Sequence, residues 1–307
     1  IVSTLFPVVT LILGMTNVAI ILLGGHLVAN MSMQVGDLIA FMTYATQIMI
    51  SFMMLSMIFV FVPRASASAT RVNAVLDQPI SIHNAPEKDQ EKISINQPAS
   101  LEFKNIDFRF HGAERLALHD LNFKVTAGQT LAIIGGTGSG KSALVNLIPR
   151  LFDIESGEIK VDGVPVKKLS QHNLHEVISI TQQQAVLFSG TIRSNLQFGY
   201  EEATDKEMWH ALEIAQAADF VREEGGLDAV VEQNGSNFSG GQRQRLAIAR
   251  TIIKPASIYV FDDSFSALDF ETDAKLRAAL AKDPQIQRAV TVIVAQRIST
   301  VVDADQI

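Results

Sequence analysis

The 307-residue chain contains no cysteine. That excludes a disulfide scaffold, a Cys-ligated zinc site and thiol chemistry, and it leaves the compartment open. Charge is also missing, but only locally. Residues 1–62 carry one formal charge, Asp37, out of 32 acids, and none of the 25 lysines and arginines. A net charge of −7 offers no global positive excess for nucleic acid, so no nucleic-acid partner is expected. The uneven distribution excludes a simple soluble globule and a disordered chain.

What fills the uncharged part is two apolar runs. Leu5–Leu23, 19 residues, makes a helix of about 29 Å, which matches a hydrocarbon core of about 30 Å. Leu38–Val62, 25 residues, is long enough to tilt or protrude. Gly24 and Gly25 suit the end of the first helix, and Asp37 suits the start of the second. Two buried helices of a soluble core would show more polar patterning. A signal peptide would have a basic flank and a small-residue cleavage site. The connection lacks Lys and Arg, whereas Arg64 and Arg71 follow the second run. The connection is therefore expected outside and everything after Pro63 in the cytoplasm, as in a multi-pass cell-membrane protein. Thr43, Gln47 and Ser51 share one helix face. They suit either a substrate path or hydrogen bonds that glue a bundle. Met42, Met49, Met53, Met54 and Met57 crowd the same helix, as adaptable contacts or ordinary packing. The sequence starts at Ile1 without methionine, and two spans enclose no pathway, so it reads as a fragment of a longer chain.

Arg64–Asp77 reads as a helix continuing out of the membrane, which completes a first domain over 1–77. Residues 78–100 hold Pro79, Pro86 and Pro98 and read as a linker. From Leu101 the period changes. LEFKNIDFRF and LNFKV alternate as strands, and TLAII, IYVF and VTVIVA are apolar strand runs separated by helical segments. The stretch 101–307 is thus an α/β domain with a mostly parallel sheet.

TLAII runs into Gly135-Gly136-Thr137-Gly138-Ser139-Gly140-Lys141-Ser142, the G-x-x-x-x-G-K-[ST] spacing of a phosphate loop. Glycines allow the backbone N–H groups to turn inward around phosphate oxygens, and the next helix points its positive end at them. Lys141 can reach the β and γ phosphates, and Ser142 can offer its hydroxyl to Mg²⁺. This implies a nucleotide, without separating kinases, GTPases, helicases and transporters. IYVF then ends in Asp262-Asp263, which places a carboxylate for the magnesium shell. Ser239-Gly240-Gly241-Gln242 opens the helical run RQRLAIARTII. Ser239 can cap it, and its N-terminus makes a second anion site.

Together these motifs make the chain similar to ATP-binding cassette (ABC) exporters of the multidrug type, in which membrane and nucleotide-binding domains share one chain. The resemblance covers nearly the whole sequence. It implies a P-loop NTPase fold with a mostly parallel core, an antiparallel β part and a helical subdomain. It also implies the cofactors ATP and Mg²⁺, residues 1–62 as the last two of six spans, and a chain continuing past Ile307. In that comparison Ser239–Gln242 match the signature motif. Gln183 matches a glutamine loop that touches Mg²⁺ and faces the membrane domain. Phe110 matches the aromatic that stacks on adenine, the alternative being a core strand phenylalanine that shares a face with Phe108. Asp269 closes Ser266–Asp269, the loop that crosses the dimer interface.

Two positions depart from the family pattern. Asp263 stands where a glutamate usually activates water, and Gln296, in IVAQRIST, stands where a histidine usually binds the γ-phosphate. Asp263 is one methylene short, and glutamine carries no charge and exchanges no proton. Family members pair head to tail, each ATP lying between one P-loop and the other signature. An intact signature beside a weakened hydrolysis site therefore implies a heterodimer. This chain would bind ATP, hydrolyse it poorly, and complete a competent site on a second half-transporter. Alternatives are a slow homodimer, a regulatory protein gated by ATP without pumping, and a cassette ATPase outside the membrane, which the uncharged spans oppose. The transported substrate is not legible.

Overall fold

The computed structural model describes residues 2–95, 98–296 and 301–307. Asn96 and Gln97 of the linker and Arg297–Thr300 of the IVAQRIST segment lie outside the described residues. The chain divides into two compact units, Ile1–Ser81 and Ile82–Ile307.

The first unit is a helical hairpin. Helix α1 spans Val2–Ala29 and α2 spans Val35–Leu76. Both are long and apolar enough to cross a membrane. Helix α1 does not stop at Gly24 and Gly25 but runs through them. Gly24 is buried, and a Cβ there would lie 2.2 Å from Leu38 Cδ1. Its hydrogen permits close approach of the two helices rather than ending one. The turn comes at Met31, in the left-handed region at φ 54°, with the Ser32 N–H donating to the Leu27 carbonyl at 3.0 Å. Asp37 lies in the first turn of α2 and accepts from the Gln34 N–H at 3.3 Å. Helix α2 continues through Pro63 and the small residues of Arg64–Asp77 without a break until Leu76. Thr43, Gln47 and Ser51 are exposed on the hairpin. The Thr43 and Ser51 hydroxyls donate to the Ile39 and Gln47 carbonyls, each at 2.9 Å, so their polarity is satisfied within their own helix.

The second unit holds two larger sheets and a helical part. The antiparallel sheet joins β1 (Ser100–Phe108), β2 (Leu118–Thr126), β4 (Ser156–Val161) and β5 (Val164–Pro165) in the order β2-β1-β4-β5. Leu101, Phe103, Ile106 and Phe108 are all buried. Within the stretch read as a linker, Ile93 and Ala99 are buried too, and the Ile93 backbone pairs both ways with the Asn173 amide. The parallel sheet joins β3 (Thr130–Ile134), β6 (Ile178–Thr181), β9 (Ile258–Asp262) and β10 (Val290–Ala295) in the order β3-β10-β9-β6. Its side chains alternate between two cores, as the strand period requires. Tyr259, Phe261 and Ile293 face the core that holds the helical part. Ile258, Val260 and Val292 face the core shared with the antiparallel sheet. Because both faces are covered, the strands read as unbroken apolar runs.

Helix α3 (Lys141–Leu147) follows β3, and α4 (Gln171–Glu176) precedes β6. A two-stranded ribbon, β7 (Gly190–Thr191) with β8 (Val230–Val231), borders the helical part. That part comprises α5 (Ile192–Gly199), α6 (Asp205–Ile214), α7 (Ala218–Glu223) and α8 (Gly240–Ile252). Helix α9 (Phe270–Lys282) links β9 towards β10.

Candidate nucleotide-binding site

The register of the parallel sheet assembles the site. Ala295 of β10 pairs with Ile134 of β3, Val294 with Asp262 of β9, and Thr181 of β6 with Phe261 of β9. The four strands therefore end at one edge. The residues just past them are Gly135, Gln296, Asp263 and Gln182-Gln183. Ligands of open parallel sheets bind at this carboxyl edge.

The loop after β3 has the backbone that its glycines predict. Gly138 and Gly140 have φ +81° and +92°. A Cβ on Gly140 would lie 2.9 Å from Leu118 Cδ2 and 3.0 Å from the Ala117 carbonyl oxygen, and one on Gly135 would lie 2.5 Å from Ser139 Oγ. Gly136 and Gly138 instead face open space. Inner glycines thus let the loop close on itself, while outer ones leave room over the backbone. Lys141 opens α3 and folds back, its Nζ donating to the Gly135 and Gly136 carbonyls at 2.7 Å each. Thr137 and Ser139 complete the loop.

Asp262 ends β9 and is 7% exposed. Burial pushes its carboxyl pKa up, while a hydrogen bond with Ser142 and the charge of Lys141 oppose that shift. Two of the three residues read as magnesium-shell candidates, Asp262 and Ser142, are thus already in contact. ATP and Mg²⁺ fit this arrangement: the loop is open where a Cβ would intrude, a lysine crosses it, and a buried carboxylate meets a hydroxyl at its base. When bound, ATP supplies the phosphoryl group and Mg²⁺ neutralises its charge.

Asp263 comes next, 8% exposed and in the left-handed region at φ +49°. Gln296 Nε2 donates to Asp263 Oδ2 at 2.7 Å. The two departures from the family pattern are therefore bonded to each other. Gln183 is exposed, two residues beyond β6.

Phe110 lies past the end of β1, 43% exposed, whereas Phe108 is 2% exposed. The two phenylalanines of FRF therefore separate into a core residue and a surface one. Phe110 meets Phe108 edge to face at 4.8 Å and Phe152 at 5.5 Å. Phe152 escaped sequence reasoning, because nothing in RLFD marks it. Its only signal is that it comes soon after the helix of the phosphate loop.

The remaining candidates lie at the starts of α8 and α9. Ser239 caps α8: its Oγ accepts from the Gln242 N–H at 3.2 Å, and Gln242 Oε1 accepts from the Ser239 N–H at 2.8 Å. Gly240 and Gly241 form the first turn of α8, with a Cβ on Gly241 falling 3.5 Å from the Ala267 carbonyl oxygen. The signature turn thus packs beside Ser266–Asp269. Asp269 caps α9, accepting from the Thr272 N–H at 2.9 Å. That bond holds its carboxyl below the usual carboxylate range.

Residues 118–266 match the family described as ABC transporter. The ABC transporter ATP-binding protein Rv1273c of Mycobacterium tuberculosis (strain ATCC 25618 / H37Rv) is 42% identical over 310 residues, covering 99% of this chain and 52% of that protein. The ATP-dependent lipid A-core flippase of Desulfotalea psychrophila (strain LSv54 / DSM 12343) is 35% identical over 98% of this chain and 52% of its own length. A bacterial Atm1-family ABC exporter, solved with ATP bound, aligns with a TM-score of 0.78 at 30% identity, over 99% of this chain and 53% of that one. The chain spans about half the length of the curated relatives it matches.

Proposed function

We propose that residues 118–266, which match the ABC transporter family, are the ATP-binding domain of an ABC exporter whose membrane part includes the helical hairpin, and that the chain takes part in ATP-driven export; the alignment of 99% of the chain with a bacterial Atm1-family ABC exporter supports this. The chain belongs to a half-transporter that binds Mg²⁺–ATP at a cleft that hydrolyses poorly. It lends Ser239–Gln242 to the competent cleft of a second, unlike half. The hairpin crosses the cell membrane and the ATP-binding domain is cytoplasmic.

The observation that carries this reading is the pairing of Asp263 with Gln296 beside an otherwise complete set of phosphate and magnesium residues. Gly135–Gly140 and Lys141 are built to hold phosphates, and Ser142 and Asp262 are built to hold the ion. Phe110 offers a ring to the base and Gln183 stands at the magnesium side of the edge. What is weakened is the positioning of water. The Asp263 carboxylate stops one methylene short of a glutamate, and misplacement by about 1 Å can cost about 10²-fold in rate. The Gln296 amide donates a hydrogen bond but takes no proton. Ser239, by contrast, caps an intact helix start, whose capping box engages the Ser239 and Gln242 N–H groups and leaves the Gly240–Gly241 turn to an anion.

Closure of two such domains over nucleotide costs free energy that contacts on both faces supply. The Gln183 segment carries the motion to the spans, and turnover at the partner's cleft reopens the pair. Asp263→Glu with Gln296→His is expected to raise hydrolysis at this chain's own cleft in the assembled transporter, about 10²-fold if positioning is the defect. Unchanged turnover would remove the basis of the reading.

A further inference from the structure

The bond between Asp263 and Gln296 points to a more specific cause of weak hydrolysis, one that rests on the reading just given. We propose that Gln296 is a positioning residue that clamps the Asp263 carboxylate, so that one contact withdraws both groups from the reacting end of the nucleotide.

The contact is set by the fold rather than by a free side-chain choice. Strands β9 and β10 pair in register up to Asp262 and Val294, so Asp263 and Gln296 stand just past adjoining strand ends. The Asp263 backbone is held from two directions. Its N–H donates to the Val294 carbonyl at 3.1 Å, and its own carbonyl accepts from Ser266 Oγ at 2.9 Å. With the left-handed φ of +49°, the Cα–Cβ direction is fixed and only the side-chain torsions remain. Gln296 Nε2 then takes Oδ2 at 2.7 Å, the short end expected for a donor to a charged acceptor. The orientation of the amide is also settled chemically. The Asp263 Oδ2 atom is the acceptor, so the amide faces it with N–H.

The consequences run both ways. A carboxylate oxygen engaged by an amide cannot also orient water along the same direction. An amide donating to Asp263 is not aimed at a γ-phosphate. The two departures from the family pattern are then one device, and their effects are coupled. A missing imidazole and a short carboxylate acting separately would not be coupled.

The test uses the full-length transporter with the partner's cleft inactivated, comparing Asp263→Glu, Gln296→Ala and the two combined. The clamp releases the longer carboxylate only in the combination. Its kcat should exceed the product of the two single effects by about tenfold, with the Mg²⁺–ATP Kd within about threefold of the parent. A combined kcat equal to that product overturns the clamp. A second readout needs no nucleotide. In ¹³C-aspartate infrared difference spectra against Asp263→Asn, the Asp263 carboxylate stretch should move on Gln296→Ala, and likewise on Gln296→Asn, whose amide is a methylene short. A stretch that stays in place in both also overturns it. If the unmodified cleft turns over as fast as the partner's, the weak-site reading fails, while the infrared shift still reports whether the clamp exists.

Discussion

Replacing Gly140 by alanine tests whether the phosphate loop owes its binding to a backbone form that only glycine permits. Gly140 has φ +92°, and the new Cβ would meet Leu118 Cδ2 at 2.9 Å and the Ala117 carbonyl oxygen at 3.0 Å. The left-handed region costs an L-residue about 1–2 kcal/mol. The approach to a backbone carbonyl adds strain of the same order, so the native loop becomes about 2–4 kcal/mol less favourable. The loop relieves this by leaving its native form, and binding must restore that form. At about 1.4 kcal/mol per tenfold, Mg²⁺–ATP affinity should fall by roughly 30-fold or more. Gly163→Ala is the control. It has φ +80° but nothing within 4 Å of its Cβ and lies in the turn between β4 and β5, so it pays backbone strain without touching the site. Calorimetric titration of the purified full-length protein reads both. A Gly140→Ala protein that binds Mg²⁺–ATP within about threefold of the parent would show that binding does not depend on this backbone form.

Two further changes probe the signature turn and the core. Ser239→Ala should lower the ATPase rate of the assembled transporter more than Lys141→Ala does, because in the proposed assembly Ser239 serves the competent cleft and Lys141 the weak one; steady-state turnover of each variant gives the ranking. Tyr259→Phe should lower stability by about 1–3 kcal/mol, read as a loss in thermal midpoint. The Tyr259 hydroxyl is buried, donates to the Lys254 carbonyl at 2.8 Å and accepts from the Ala256 N–H at 3.1 Å and from the Gln285 amide; the Ala256 N–H would lose its acceptor, while the Lys254 carbonyl would keep the Gln285 amide at 3.4 Å.

Much of this architecture was legible because the signals are local. The phosphate loop announces itself by glycine spacing, and the parallel strands by apolar runs that need no polar face. The Ser239 cap follows from a short side chain ahead of a helical run. What escaped is what depends on tertiary approach. Gly24 looks like a helix end from its type alone, yet the structure shows it is the contact that lets Leu38 come close. Phe108 and Phe110 share a face in sequence, and only the end of β1 separates them. The bond from Gln296 to Asp263 joins residues 33 apart and is created by strand register, which neither residue reveals alone. Phe152, in the loop between α3 and β4, meets Phe110 through a tertiary approach that its own sequence does not mark.

In the proposed assembly nucleotide is gripped between two unlike halves, and this half is slow to cleave it. The direct measurement is the fate of bound nucleotide in the assembled transporter after a single loading with radiolabelled ATP and a chemical quench. Intact ATP should persist at the cleft containing Lys141 and Asp262 while the opposite cleft has converted its share to ADP. Equal conversion at both clefts, or an assembly made of two copies of this chain, would mean that the two halves are not unlike in this way.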